Sequence, residues 1–377
     1  MKYRTFGGTG RQVSALGFGA MRLPTMGEDA DIDEPAAIEM LRYAIDHGVN
    51  YIDTAYPYHG GNSELVVAKA LHDGYRQKVA LATKLPIWKV EKSEDFDRFL
   101  DEQLDKLQTS QVDFYLLHSL QAKSWPKLRD LGVLPWAERA RADGRIGHFG
   151  FSFHDSYNAF QEIVDACDWS FCQIQYNYVS EEVQAGTAGL KYAAEKGLAV
   201  IVMEPLFGGT LANPPQPVQD VFDRAARRRS PTDLALQWLW NQPEVSLVLS
   251  GMSTLEQVRQ NIESACRSGI GSVTEEDLQL LARARDKYQE LSPVPCTKCG
   301  YCMPCPNGVD IPVNLELLNH ATVFQGSSAG LCRNLYCSLP ESQRASACVA
   351  CGECEENCPQ QIPIGETMAR VDQAFAR

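Results

Sequence analysis

The sequence predicts an α/β protein, a (β/α)8 TIM barrel followed by a small, mainly helical C-terminal domain. Three observations lead there. From about residue 35 to 270, helix-length amphipathic stretches alternate with short apolar runs, the pattern of βα units wound around a parallel sheet. The strand candidates number eight, which closes such a barrel. Beyond residue 292 the alternation stops and two tight cysteine runs replace it.

A hairpin over 4–13, with a Gly-Gly-Thr-Gly turn suited to positive φ, precedes the first barrel strand at 15–21. The other strands are expected at 51–55, 79–84, 112–118, 148–153, 171–176, 198–203 and 245–249. Among the intervening helices are 36–46, 95–107, 187–196 and 232–240, the last opening on a Ser-Pro-Thr-Asp start signal. A further amphipathic helix over 274–291 carries Glu275, Glu276 and Asp277 in its first turn, where the helix dipole favours acid. Ser-Pro-Val-Pro then ends it, and Pro293 and Pro295 stiffen a linker. This places the barrel at 1–291 and the cysteine domain at 292–377. Helices are expected within the latter at 312–319 and 368–375.

With 377 residues, 44% of them hydrophobic and 22% charged, the chain can bury a large core. A net charge of −13 disfavours nucleic acid and anionic membrane as partners. No apolar run approaches bilayer length and the N-terminal residues form no signal-peptide core, so a cytoplasmic protein is expected. Thirteen cysteines in such a chain point to reduced thiols and metal ligands.

Eight of those cysteines form the two runs. Cys348, Cys351, Cys354 and Cys358 have the C-x2-C-x2-C-x3-C-P spacing that holds a [4Fe-4S] cubane. Cys296, Cys299, Cys302 and Cys305 form a run one residue shorter, again closed by Cys-Pro. A pair of structural zinc sites is the alternative, but zinc usually takes two separated C-x2-C pairs. The long spacer between the runs suits an α-helical ferredoxin-like module. Cys332 and Cys337 lie in that spacer and read as packing residues, with the option that one replaces Cys305; Cys167, Cys172 and Cys266 read as small buried hydrophobes.

In a TIM barrel, reactive side chains sit where strands end and βα-loops begin. Four polar residues hold such places: Asp53, Tyr58 in the loop that follows it, Lys84 and His118. Singly, each has a plain explanation as a helix cap, a solvent-reaching lysine or a satisfied core histidine. Together they form a constellation. With Ile-Asp-Thr-Ala-x-x-Tyr, Gly61-Asn62-Ser63-Glu64, Thr-Lys and Leu-Leu-His in order, the chain resembles the aldo-keto reductases, specifically a subgroup with a C-terminal 4Fe-4S dicluster ferredoxin-like domain. The likeness runs through essentially the whole barrel.

That resemblance implies NAD(P)(H)-dependent reduction of a small-molecule carbonyl, or oxidation of an alcohol. Tyr58 would be the proton donor, Lys84 would lower its pKa, Asp53 would orient Lys84, and His118 would bind the carbonyl oxygen. Cofactor contacts are implied for Ala20, Met21, Ser152, Gln173, Met203, Pro205, Leu206, Gly251, Ser253, Gln257 and Asn261. Two depart from the family pattern: Ser152 precedes Phe153 where asparagine is usual, and Met203 stands where an aromatic ring often stacks on nicotinamide. The basic pair that reads a 2′-phosphate in many relatives is absent at Gly251 and Gln257, so NAD and NADP both stay open. Tyr56, Trp88, Trp125 and His154 are candidate pocket residues.

A two-cluster tail would interleave its ligands, Cys358 joining the first three cysteines and Cys305 the second three; one cluster is the alternative. Hydride carries two electrons and a cubane passes one. Either the clusters are structural, or a ferredoxin-like partner exchanges electrons with them, or a flavin intervenes. Two other functional classes fit the same residues, a nicotinamide-binding redox sensor and an electron-transfer subunit of a larger complex.

Overall fold

The computed structural model describes residues 1–27, 29–225, 228–296, 300–324, 327–358 and 360–375. Eight parallel strands close a barrel: β3 (Leu16–Gly19), β4 (Tyr51–Asp53), β5 (Ala80–Leu85), β6 (Val112–Leu120), β7 (Ile146–Phe153), β8 (Phe171–Gln175), β9 (Ala199–Met203) and β10 (Val245–Gly251). Strand order follows the chain, and β10 pairs with β3 to complete the ring. Ahead of it lies an antiparallel hairpin, β1 (Tyr3–Thr5) and β2 (Gln12–Ser14). Each strand falls where the apolar runs place it, because a strand buried on both faces is written as continuous Val, Ile, Leu and Ala.

The hairpin tip carries Phe6, which is fully buried in one cluster with Tyr51, Phe114, Phe171 and Leu247. Its ring lies 4.7 Å from that of Phe114 and 5.6 Å from that of Phe171. This aromatic plug fills the barrel end opposite the reactive loops. The shell helices of the barrel include α1 (Glu34–Asp46), α2 (Ser63–Ala70), α3 (Glu94–Leu107), α4 (Trp125–Asp130), α5 (Val133–Ala142), α6 (Tyr157–Val164) and α7 (Gly186–Glu195). In α3 the buried residues Phe96, Phe99, Leu100, Leu104 and Leu107 recur at three- and four-residue spacing, so one stripe faces inward.

By compactness the chain forms two units, Met1–Pro205 with Asp233–Thr274, and Leu206–Thr232 with Glu275–Arg377. The first holds the barrel, with α10 (Leu255–Cys266) and all but the first two residues of α9 (Pro231–Trp240). The second holds α8 (Gln216–Asp223) and α11 (Glu275–Glu290), ahead of the boundary expected at 291/292. Arg229 pairs with Asp277 at 2.8 Å there, and the Tyr288 and Phe324 rings meet at 4.8 Å.

The remaining helices of that unit are α12 (Ile311–Val323), α13 (Ser327–Ser338), the single turn α14 (Glu353–Glu356) and α15 (Ile364–Phe375). Val309, Ile311, Leu315, Cys332, Met368 and Val371 belong to their common core. Two buried asparagines stitch loops to it: Asn319 bonds both the N–H and the C=O of Val294, and Asn314 bonds Asp310, Gln343 and Ala345 backbone groups. Cys172 and Cys332 are buried as expected, whereas Cys266 and Cys337 are exposed. Both of the latter lie in the last turn of a helix, α10 and α13 respectively. Among the described residues no helix is long and apolar enough to cross a membrane.

Gly150 lies where β7 and β8 pack closely. A Cβ built on it would stand 2.4 Å from the Phe171 carbonyl oxygen on the neighbouring strand, a backbone atom that cannot yield. Gly150→Ala should destabilise the barrel by about 3 kcal/mol, the upper range of overpacking, read as a lowered midpoint in thermal or urea unfolding.

Candidate functional site

Lys84, near the C-terminal end of β5, is fully buried. An ammonium has three N–H donors and each must be met. Its Nζ donates to Asp53 Oδ1 at 2.6 Å, to the Thr54 carbonyl at 2.9 Å and to Tyr58 Oη at 3.2 Å. Because Tyr58 oxygen accepts from Lys84, the phenol's own hydrogen is left to point away. No acceptor for it occurs among the described residues. The His118 ring stands edge-on to Tyr58 with centroids 5.8 Å apart, and Trp88 covers His118 at 5.2 Å. The structure thus brings Asp53, Tyr58, Lys84 and His118 into one cluster at adjoining strand ends.

Local anchors hold Tyr58 in place. It begins a tight turn through His59, Gly60 and Gly61, all at positive φ. For His59 that conformation is strained. The imidazole offsets it by bridging: Nε2 accepts from the Leu23 N–H at 3.2 Å, so Nδ1 is the protonated nitrogen and donates to the Asp29 carbonyl at 2.6 Å. Ser63 Oγ next door reaches the Ala20 carbonyl and Thr54 Oγ1, tying the loops after β3 and β4 together. Glu64, also buried, accepts from Thr83 Oγ1 at 2.6 Å and Gln103 Nε2 at 2.7 Å. Gln103 also bonds the Lys84 carbonyl and receives the Tyr115 hydroxyl. The Gly-x-Ser-Glu motif therefore supports the strand that carries Lys84.

Electrostatics departs from the expectation in one respect. Burial pushes the Tyr58 phenol up; Lys84 pulls it down, but Asp53 and Glu204 add to the rise, and the net shift is upward from 10.0. Desolvation of the phenolate outweighs the ammonium's attraction, so Tyr58 is held in its protonated, donating form. Lys84 ends above its ordinary value because Asp53 and Tyr58 together overcome the burial that opposes its charge. Burial raises Asp53 against the pull of Lys84. His118 lies well below 6.5 through burial, Lys84 and His154, in that order. It is therefore a neutral imidazole, with Nδ1 sealed and lacking a hydrogen-bond partner.

The donor sets for the two implied cofactors can be tested on the residues present. Gln173 on β8 has a buried Oε1 without a partner, while its Nε2 reaches only Met203 sulfur at 3.6 Å. An amide with both ends under-satisfied fits a carboxamide. Ser152 on β7 is buried and its Oγ accepts from the Ser119 N–H at 2.8 Å, leaving its hydrogen to donate. Ala20 and Met21 follow β3, and Pro205 follows β9 by two residues. At the end of β10, the Ser253 N–H is met by Gln257 Oε1 and the Asn261 amide by Ser250 Oγ, so these groups engage one another. Gly251 lies under Arg22, whose Cγ would be 2.8 Å from an added Cβ, and Ser253 Oγ donates to the Arg22 carbonyl. Sequence reasoning passed over Arg22 because nothing in Ala-Met-Arg-Leu says that it crosses to β10. Leu206 falls in the second compact unit.

For the clusters, Cys296, Cys302, Cys305, Cys348, Cys354 and Cys358 pack partly buried against the small unit's core, and Cys351 is exposed. Cys299 lies outside the described residues. Among the described residues no three His, Cys, Asp or Glu side chains could hold a single metal ion. A cubane places one iron under each thiolate, so its sulfurs stand wider apart than ligands of one ion. Gly300 and Gly352, each directly after the second cysteine of its run, share a positive φ that turns the backbone around the site. Thiols in this spacing fit iron–sulfur chemistry. Of the candidate pocket residues, Trp125 is buried against Trp169 and Tyr56 packs edge-on to Phe99, leaving Trp88 and His154 beside His118.

An eight-stranded parallel barrel with a phenol, an ammonium, a carboxylate and an imidazole at its strand ends defines a class of oxidoreductase. The chain belongs to the Aldo/keto reductase family, whose model matches residues 15–268, and a 4Fe-4S dicluster domain model matches 295–362. It is 29% identical over 287 residues to L-galactose dehydrogenase of Arabidopsis thaliana, covering 70% of this chain and 87% of that one. It is 26% identical over 311 residues to the NADH-specific methylglyoxal reductase of Escherichia coli, covering 70% and 93%. The holo form of an aldo-keto reductase from Bacillus halodurans superposes with TM-score 0.64 at 26% identity, over 75% of this chain and 96% of the other. An aldo-keto reductase from Klebsiella pneumoniae in complex with NADPH gives 0.60 at 26%, over 75% and 95%.

His118 sets a pH dependence. Its folded pKa is lowered, so the unfolded chain binds a proton near 6.5 that the folded chain refuses. Stability is therefore unaffected above that value and falls as pH drops below it. The barrel's urea midpoint should decrease from about pH 7.5 to about pH 5.5, and His118→Phe should remove about 1 kcal/mol of that decrease.

Proposed function

We propose that this chain is an NAD(P)(H)-dependent reductase of small-molecule carbonyls, or an oxidant of the matching alcohols, with Tyr58 as proton donor. The observation that carries this reading is the buried Lys84 ammonium bridging Asp53 and Tyr58 Oη. Bound nicotinamide supplies hydride to the carbonyl carbon. Every other step belongs to side chains of this chain. Lys84 occupies a lone pair of the phenol oxygen and so turns the O–H outward; Tyr58 gives that proton to the developing alkoxide. His118, neutral at physiological pH, offers a hydrogen bond to the same oxygen and fixes the carbonyl beside the phenol. Asp53 keeps Lys84 charged. Ser152 and Gln173 would hold the carboxamide, Met203 would pack on the ring, and Ala20, Met21, Pro205 and Leu206 would line the cofactor's path. Gly251, Ser253, Gln257 and Asn261 form its nucleotide end, where the identity of NAD against NADP is decided.

The likeness to an L-galactose dehydrogenase and to a methylglyoxal reductase supports a polar carbonyl or alcohol substrate for this chain. The division into a reductase barrel, 1–291, and a cluster domain, 292–377, belongs to the same reading. Cys296, Cys299, Cys302 and Cys358, and Cys348, Cys351, Cys354 and Cys305, would hold two [4Fe-4S] clusters, which would supply single-electron exchange with a ferredoxin-like partner. The setting is the cytoplasm, where thiols stay reduced.

Tyr58→Phe should lower aldehyde reduction by about 10²–10⁴-fold while nicotinamide affinity stays within about twofold, read by steady-state kinetics and cofactor fluorescence. Retained turnover would remove Tyr58 from the proposed role. For the tail, anaerobically purified protein should contain about eight irons and eight sulfides, falling by about half in Cys354→Ser, and reduced nicotinamide should bleach the cluster absorbance. Clusters that neither respond to cofactor nor affect turnover when removed would make them structural.

A further inference from the structure

A second imidazole faces the reaction centre. His154 directly follows β7, on the strand adjoining the one that carries His118, and it opposes the protonation of His118. A two-amide relay sets its hydrogens. Gln184 donates from Nε2 to Gln175 Oε1 at 3.3 Å, which turns its own Oε1 toward His154 Nδ1 at 3.2 Å. An amide oxygen only accepts, so Nδ1 carries the proton. Burial disfavours a second proton, and the ring is neutral. Its Nε2 is therefore a bare acceptor, with no hydrogen bond to any described residue.

The relay is held from several sides. Gln175 is buried at the end of β8. Gln184 occupies a positive φ of 59°, a conformation a glutamine seldom adopts, in the loop before α7. The backbone of His154 is fastened separately, its carbonyl accepting from Gln121 Nε2 at 3.0 Å. Two amides, one from a loop and one from a strand end, thus fix one ring nitrogen in one protonation state. Packing alone would not require that.

We propose that His154 Nε2 is a substrate-binding acceptor, and that the preferred substrates are hydroxy-carbonyl compounds with a hydroxyl one or two carbons from the reacting carbonyl. The proposal rests on the reading that Tyr58 and His118 receive the carbonyl oxygen. Neighbouring strands lie about 5 Å apart, so a group anchored at the end of β6 and one at the end of β7 can share a molecule of two to four carbons. A hydroxyl is the donor that suits a bare imidazole nitrogen. A substrate carboxylate would meet lone pair against lone pair and is disfavoured.

The test pairs 2-hydroxypropanal with propanal on the full-length holoenzyme. Wild type should favour the hydroxy-aldehyde in kcat/KM by about three- to tenfold, the worth of one ordinary hydrogen bond. His154→Phe, which keeps a ring, should bring that ratio near one, and His154→Gln, which restores an acceptor, should recover part of it. A wild-type ratio of one, or an equal loss on both aldehydes in His154→Phe, overturns the proposal. A second measurement avoids turnover. In Tyr58→Phe protein with reduced nicotinamide, ¹⁵N imidazole spectra should show His154 protonated at Nδ1, with the Nε2 signal moved by 2-hydroxypropanal and not by propanal. Protonation at Nε2, or an indifferent Nε2 signal, also overturns it. If that response is present while wild type reduces neither aldehyde, the acceptor stands and the reductase reading alone fails.

Discussion

A lysine ammonium sealed inside a protein is the constraint to which the rest of this barrel answers. Removing such an ion from water costs several kcal/mol, and the cost is borne only where charge and hydrogen bonds replace the lost hydration. Lys84 has all three N–H groups met, by a carboxylate, a carbonyl and a phenol from the β4 strand end and the loop after it. Those acceptors cannot drift without exposing an uncompensated charge. The same three bonds that stabilise the buried ion therefore hold Tyr58 oriented, with its proton turned outward. Stability and chemistry depend on one set of contacts.

Around that centre the supporting groups are polar and also buried. Glu64, Gln103, Thr83 and Tyr115 form a network behind β5, and Ser63 and His59 join the loops in front of it. Its hydrogen bonds rigidify the strand, while Glu64 Oε2 lacks a hydrogen-bond partner and stands 3.8 Å from Lys106 Nζ. Three buried polar atoms without a hydrogen-bond partner, Asp53 Oδ2, His118 Nδ1 and Gln173 Oε1, lie in the site residues themselves. Polar groups that lack partners inside a fold mark places where a ligand completes the hydrogen bonding.

The small unit solves a different problem. A domain of this size has little core, and here cysteines border what core there is. Backbone turns at Gly300 and Gly352 and the asparagine ties at 314 and 319 arrange loops that carry few apolar side chains of their own. Inorganic ligation is the natural complement of such loops, since metal–thiolate bonds are strong and local.

Much of this was readable along the chain. Strand positions, the ferredoxin-like cysteine spacing and the order of Asp53, Tyr58, Lys84 and His118 are all written in local pattern, because apolar runs, strand-end polar residues and short ligand spacings are properties of neighbours in sequence. Burial and encounters between distant residues are not. That Tyr58 ends with its pKa raised, that Arg22 crosses to Gly251, and that Trp125 is core while His154 faces His118 depend on which loops the closed barrel brings together. The sequence by itself determined the periodicity, the fold class and the kinds of reactive group. Only the tertiary structure decided their solvation and their partners, because both depend on distances between segments far apart in the chain.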